Sequence, residues 1–332
     1  FFSPPPPPPP APLWSRGLGD VYKRQLVNTS FLFGVEPVSF EKRLDGVDIF
    51  VGDLHVAEYV HSDAANSAST PTRTGVGRPF ISNVQTLDGI QVTRNYPVKQ
   101  GDQNDHPHHQ GIFHTFSQVN GTDYWHMRGK TKHVRFVRDP QVGTKTGFVV
   151  ENAYLAANEK TVVLKELISY EFVVTKRGLL IAVDAVIESK QDEVILGSKE
   201  EGGLAVRMSS DLRVESGATM IDNQGRSGGS EIWGKAAVWV DNSGMKKGRW
   251  VGITVMTHPA NGRLYHWHAR DYGLLATNPL GPLNTAPDKI LSRGESMRFR
   301  YGVMIHSSTQ RNQYKPADAQ ADYERFTSRK IK

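Results

Sequence analysis

Two long alternating runs constrain this chain more than any other feature. In Thr161–Val174, Val162, Leu164, Ile168, Tyr170, Phe172 and Val174 fall at even positions. In Gly178–Ile187, Leu179, Ile181, Val183, Ala185 and Ile187 fall at odd positions. A period of two puts every second side chain on one face, so each run reads as a strand with one buried side. The segment Thr175–Gly178 (TKRG) between them is a hairpin turn. Shorter stretches repeat the pattern: Val47, Ile49, Val51; Val56, Glu58, Val60; Ile90, Val92, Arg94; Leu204, Val206, Met208; Val251, Ile253, Val255; and Met297 to Ile305. Helical periodicity is nearly absent, and Ala317–Arg329 is its best candidate. The expected fold is all-β, a large antiparallel β-sandwich with few helices. A single domain is expected over residues 26–310, with 311–332 a polar tail carrying a short helix.

The first 25 residues read as foreign to that domain. Pro4–Pro10 is an unbroken proline run, and Gly17–Gln25 (GLGDVYKRQ) resembles translated adapter sequence. A genuine proline-rich interaction tail is the alternative. Ser62–Gly77 reads as a loop of small and polar residues.

Composition narrows the function classes. The chain of 332 residues has no cysteine, which excludes disulfides, thiolate metal sites and cysteine nucleophiles. No apolar run reaches the roughly 18 residues that would span a bilayer. The formal net charge is +6, but no basic run is interleaved with aromatics, so a nucleic-acid partner is not expected. No secretory signal is visible, which favours a cytoplasmic location.

Chemistry concentrates in two histidine clusters. The first is Asp105–His114 (DHPHHQGIFH), with His106, His108, His109 and His114. Pro107 excludes a helix at its start. An extended reading puts His106 and His108 on one face and His109 on the other. His126 follows in Asp123–His126 (DYWH), where Trp125 offers an apolar wall or a core residue. The second cluster is Thr257–Asp271, with His258, His266, His268, Arg270 and Asp271. His266 and His268 share a face if extended, and Trp267 lies opposite. Between the clusters, Glu200–Arg207 (EEGGLAVR) places two carboxylates before a strand that carries Arg207, and Asn223–Trp233 ends in a loop with Glu231. The expectation is that the fold brings both clusters into one polar site. Imidazole and carboxyl groups together suit acid–base catalysis, and arginine suits recognition of oxygen atoms.

Seven segments in order carry a resemblance: Thr93–Pro97, Asp105–His114, Val119–Trp125, Glu201–Arg207, Glu231–Gly234, His258–Asn261 and His266–Pro279. From Val47 to Ile305 the chain resembles the bacterial and fungal PmoA family, departing at Gln110 and Ala260. The resemblance implies a β-sandwich protein of carbohydrate-related gene neighbourhoods. The architecture also looks, loosely, like galactose-mutarotase-like sandwiches, where a glutamate base and a histidine acid work on a sugar ring. The expected function is acid–base chemistry on a sugar or sugar derivative, of epimerase, lyase or hydrolase type. Glu201, His106, His108 and His266 are the catalytic candidates. Arg94, His109, Trp125, Arg207, Glu231, His258, Trp267, His268 and Asp271 are the substrate-binding candidates. No cofactor is required. The alternatives are a divalent metal on His106, His108, His266 and His268, or carbohydrate binding without catalysis.

Overall fold

A computed structural model describes residues 36–61, 77–103, 105–143, 145–282, 285–310 and 313–329. The proline run, the adapter-like segment and nearly all of the Ser62–Gly77 loop lie outside the described residues.

The long hairpin is the centre of one sheet. β8 (Val162–Thr175) and β9 (Gly178–Ser189) pair antiparallel from Leu164↔Ser189 to Thr175↔Gly178. β19 (Ser296–Thr309) runs along the far side of β9. Around these the eight-stranded sheet takes the order β12-β14-β15-β19-β9-β8-β7-β6. Its other members are β6 (Lys130–Gln141), β7 (Gly147–Leu155), β12 (Thr219–Asp222), β14 (Trp239–Lys246) and β15 (Arg249–Thr257). The opposing nine-stranded sheet takes the order β1-β2-β3-β4-β5-β11-β17-β16-β13. It is built from β1 (Val38–Lys42), β2 (Gly46–Val51), β3 (Leu54–Val60), β4 (Phe80–Ser82), β5 (Ile112–Phe116), β11 (Gly202–Arg207), β13 (Ala236–Ala237), β16 (Tyr265–Arg270) and β17 (Leu274–Asn278). A two-stranded ribbon joins β10 (Glu193–Leu196) to β18 (Lys289–Ser292). Every named strand pair is antiparallel, so this is an all-β sandwich with few helices.

The alternating positions supply the core between the sheets. Ile49, Ile112, Leu204, Val206, Trp267 and Leu275 come from one sheet, and Ile168, Phe172, Ile181, Val183, Val255 and Val303 from the other. Ile90–Arg94 is a correction to the expectation. Despite its alternation it forms only isolated bridges, Gln85↔Gln91 and Thr93↔Met208, because Val92 and Thr93 fold back on Val84 and Met208.

Each sheet also has an outer face. That of the eight-stranded sheet is covered by α2 (Pro316–Thr327), whose Ala319 and Phe326 join Leu180, Trp239, Met256 and Met304. The polar tail read from the sequence therefore contains a docked helix. The outer face of the nine-stranded sheet is covered by loops instead, over Val60, Phe80, Phe113, Trp125, Ala205, Leu274 and Ala276. Among the described residues no helix is long and apolar enough to cross a membrane.

Candidate functional site

The chemistry gathers on this loop-covered face. In β16 the pleat turns Tyr265, Trp267 and Ala269 toward the core and leaves His266, His268 and Arg270 outside. Register then aligns a row across four strands: His268↔Ala276, Ala276↔Ala205, Ala205↔Phe113. The two alanines keep the floor low, and Trp125 fills the space over them, between Phe113 at 5.2 Å and His268 at 6.1 Å.

The first histidine segment is a turn, not the extended run expected. His109 N–H donates to the His106 carbonyl at 2.9 Å, closing a four-residue turn with Pro107 second. That position wants φ near −65°, which proline supplies. His106 adopts φ +42° before it. The faces change accordingly: the His106 ring stacks parallel on His109 at 5.1 Å and on Tyr272 at 4.5 Å, while His108 turns toward His126 at 4.4 Å.

Arg94 and Arg207 hold this turn, and both are buried, so they are not free to bind substrate. Arg94 donates to the carbonyls of Gln103, Asp105 and His106. Arg207 grips both oxygens of Asp105 at 2.7 and 2.8 Å. Partial burial would raise the Asp105 pKa, but hydrogen bonds from Arg207 and His106 win and bring it to about 2.

A partly exposed group of titratable side chains lies where the Asp123–His126 loop meets the start of β11. The Asp123 carboxylate takes the His126 ring Nδ1 at 2.9 Å and its backbone N–H at 3.0 Å. An ionised carboxylate only accepts, so Nδ1 carries the proton and Nε2 keeps its lone pair in the neutral ring. That Nε2 stands 3.8 Å from the Glu201 carboxylate, with 37% and 23% of the two side chains exposed. Burial, reinforced by Glu200 and Asp123, raises the Glu201 pKa although His126 and His268 oppose it. Its neighbour goes the other way. Burial would raise Glu200, but His268, Trp233 and Arg270 pull it down to about 2. The Trp233 indole N–H donates to Glu200 at 2.6 Å, Arg270 lies 3.2 Å from it, and His268 Nδ1 lies at 3.4 Å. Arg270 also sits over the Trp233 ring at 4.0 Å. Adjacent carboxyls are thus driven apart, one ionised and one holding its proton to higher pH. Burial first, then His126 and Arg78, bring the His108 pKa to about 3, so this ring is neutral near pH 7 and is a poor proton donor.

The structure therefore joins His108 of the first cluster, through His126, Glu201 and Glu200, to His268 and Arg270 of the second. His106 and His109 lie beside this chain of contacts. His266 shares the outward face of β16, two residues along from His268, and its buried Nδ1 has no partner among the described residues. The remaining candidates fall elsewhere. Trp125 and Trp267 are buried to 0% and 1% exposure and cannot stack on a sugar; their indoles donate to His109 and to the Ala237 carbonyl. His258 packs edge-on against Phe326 of α2, on the opposite side of the sandwich, and accepts from Ala260 N–H. Asp271 accepts the Gly229 N–H at 2.6 Å and so pins the short helix α1 (Gly229–Ile232). Glu231 is exposed on α1 without an ion pair among the described residues; from this segment it is Trp233 that reaches the cluster. His114 points into the core and pairs with Glu166 at 2.7 Å. The residues to add to the sequence-based set are thus Asp123, His126, Glu200, Trp233, Arg270 and Tyr272.

The four-histidine metal alternative is also corrected. Among the described residues no group of three or more His, Asp or Glu side chains is arranged to hold a metal ion. His266 and His268 are separated by two residues of strand, about 7 Å, and the His106 ring is spent on stacking.

Comparison with known proteins places the chain in a family. Residues 46–320 match a group described as "Family of unknown function (DUF6807)", and the chain belongs to it. No curated protein matches. Solved structures similar to it include the Slr1438 protein from Synechocystis sp. PCC 6803, at 10% identity and a TM-score of 0.39, covering 85% of this chain and 100% of that one. Another is the polysaccharide lyase BACCELL_00875, at 14% identity and a TM-score of 0.32, covering 89% of this chain and 35% of that one. Likenesses this distant carry no argument about activity. The finer PmoA and mutarotase-like resemblances are not part of what these matches carry.

Proposed function

We propose that this protein is an enzyme of proton transfer on a sugar or sugar derivative, with Glu201 and His126 as its acid–base couple. The observation that carries the reading is the array Asp123–His126–Glu201, open to solvent and flanked by Glu200. A carboxyl that holds its proton to higher pH than its neighbour, beside an imidazole nitrogen 3.8 Å away, provides a donor and an acceptor within one substrate atom's reach. Asp123 fixes the ring and stabilises its charged form when it accepts a proton, the supporting role a carboxylate plays for a catalytic histidine. Glu201 takes the role expected from the sequence; its partner is His126, in place of His106, His108 or His266.

The surroundings suit a polyhydroxy ring. Glu200 offers acceptors and Arg270 donors at the rim. Trp233, 41% exposed, offers an aromatic ring to the C–H face of a pyranose. The test is a panel of aldoses, ketoses and uronates incubated in D2O and followed by proton NMR. Exchange or turnover at one carbon is expected with the wild-type chain and not with Glu201→Gln or His126→Asn. Sugar binding by calorimetry that survives both substitutions, with no exchange for any panel member, would replace the enzyme with a binding protein.

A further inference from the structure

One buried cation has no ion-pair partner among the described residues, the carboxylate acting on it from a distance being Asp123. Arg78 precedes β4, is 1% exposed, and has no carboxylate in ion-pair range among the described residues. Its guanidinium lies over the Phe113 ring at 4.0 Å. It donates to three backbone carbonyls: Tyr124 at 3.0 Å, Trp125 at 2.8 Å, and His108. Its Nε has no partner. Burying a guanidinium without a paired anion is costly, and burial brings the Arg78 pKa down to about 9 although Tyr154 and Asp123 oppose it. A core filled by an apolar side chain would avoid that cost, so the retained charge asks for a reason.

The carbonyls it binds identify one. They belong to the residue that bears the His108 ring and to the two residues immediately before His126. No strand pairing ties these segments to each other among the described residues: the first is a turn closed by His109 N–H to His106 O, the second a loop closed by Arg128 and Gly129 N–H to Asp123 O. We infer that Arg78 is the positioning residue of the site, a clamp that fixes the His108 turn against the His126 loop and so sets His126 against Glu201. A planar fork with several fixed donors can span carbonyls from two chain segments at once, which a point charge cannot. The cation also sits behind these three carbonyls and next to the His108 ring, where it opposes a second positive charge. His106, His109, His126 and Asp123 are the other titratable groups around that ring. The consequence for chemistry rests on the proton-transfer reading; the clamp itself does not.

The experiment separates the two. Amide hydrogen exchange and the imidazole ¹⁵N–¹H spectrum are recorded on the full chain without substrate, for wild type, Arg78→Gln and Arg78→Lys. The clamp predicts that both variants speed exchange at His109, Arg128 and Gly129 at least tenfold and shift the His108 and His126 ring signals. The strand amides of β8 and β9 stay protected. With an exchangeable sugar in hand, the same variants lower kcat while KM holds within about twofold. Unchanged protection in Arg78→Gln would overturn the inference. So would a lysine variant that matches wild type, because charge alone would then suffice, or global unfolding of both variants, which would make Arg78 a folding residue. If no sugar is turned over by the wild type, the proposed reaction fails while the exchange data still decide the clamp.

Discussion

The two outer faces of the sandwich each gather histidine, aspartate and tyrosine, yet they have opposite characters. Under α2, the His306 ring stacks on Tyr314 at 3.6 Å and meets Asp241 at 2.9 Å. Thr254 and Ser243 also donate to Asp241, and Tyr314 donates to Asp322, which Arg177 binds. The His306 and Asp241 side chains are 0% and 6% exposed. Nothing there can meet a substrate. On the loop-covered face Asp123 and His126 stay 21% and 37% exposed, and two neighbouring carboxyls are pushed in opposite directions. A buried titratable group is thus a poor marker of function by itself. Access, together with opposed protonation of close neighbours, is the better one.

The largest expected effect breaks the sealed face. Asp241→Ala leaves His306, Thr254 and Ser243 without their shared acceptor in a buried layer, and each buried polar group so stranded costs about 1–3 kcal/mol. Denaturant unfolding should show that loss, with any sugar proton exchange by the remaining folded protein unchanged. A loss under about 1 kcal/mol would mean that α2 does not depend on the network.

Glu201→Gln should do the reverse. Removing a general acid–base group lowers rate by about 10²-fold or more. Stability should hold or rise, because the substitution removes a carboxyl that burial already disfavours as a charge. A marked fall in Tm with rate intact would make Glu201 a structural residue like Asp241.

The paired carboxyls also predict opposite pH slopes. Glu200 is depressed to about 2 in the folded chain, against an ordinary value of 4.5. Its contribution is therefore present above about pH 4.5 and is lost as pH falls through 2. Glu201 is raised, so the unfolded chain releases its proton first, and the group costs stability as pH climbs from the ordinary carboxylate value through its folded one. Subtracting the stability curves of Glu200→Gln and Glu201→Gln from wild type should give a Glu200 contribution that grows with pH up to about 4.5 and a Glu201 contribution that falls with pH above it. Parallel curves would show that the two carboxyls share one environment and would remove the basis for assigning them different roles.

How much of this was legible in the sequence follows the reach of each interaction. The strands β8, β9 and β19 were, because long runs with an apolar residue at every second position read as strands and little else. Half of the site was, because Glu201, His268 and the DHPHH turn are locally conspicuous. Period two also places Arg270 beside His268 and puts Trp267 in the core, so the burial of Trp267 could have been read from its odd position. The rest depends on contacts across 75 residues, such as His126 with Glu201, or across 33, such as Trp233 with Glu200. Nothing local announces those. The turn at Pro107 was half visible: proline excluded a helix, but only the His109-to-His106 hydrogen bond decides between extended chain and turn.

The smallest effect concerns the rim. Trp233 has Arg270 over its ring and its N–H tied to Glu200, so the ring is fixed before any ligand arrives. Binding through a pre-oriented aromatic ring is worth about 0.5–1.5 kcal/mol beyond area, and no reacting atom touches it. Trp233→Ala should therefore raise KM for the sugar about three- to tenfold and leave kcat unchanged. Trp233→Phe keeps the ring and loses only the hydrogen bond to Glu200, so it should recover most of that affinity. Its other consequence should appear in Glu200 itself, whose pKa rises when the indole donor is removed. If the phenylalanine variant is as impaired as the alanine one, the rim acts through Glu200 and not through stacking. The open face would then resemble the sealed one more closely, both being organised by hydrogen bonds to one carboxylate.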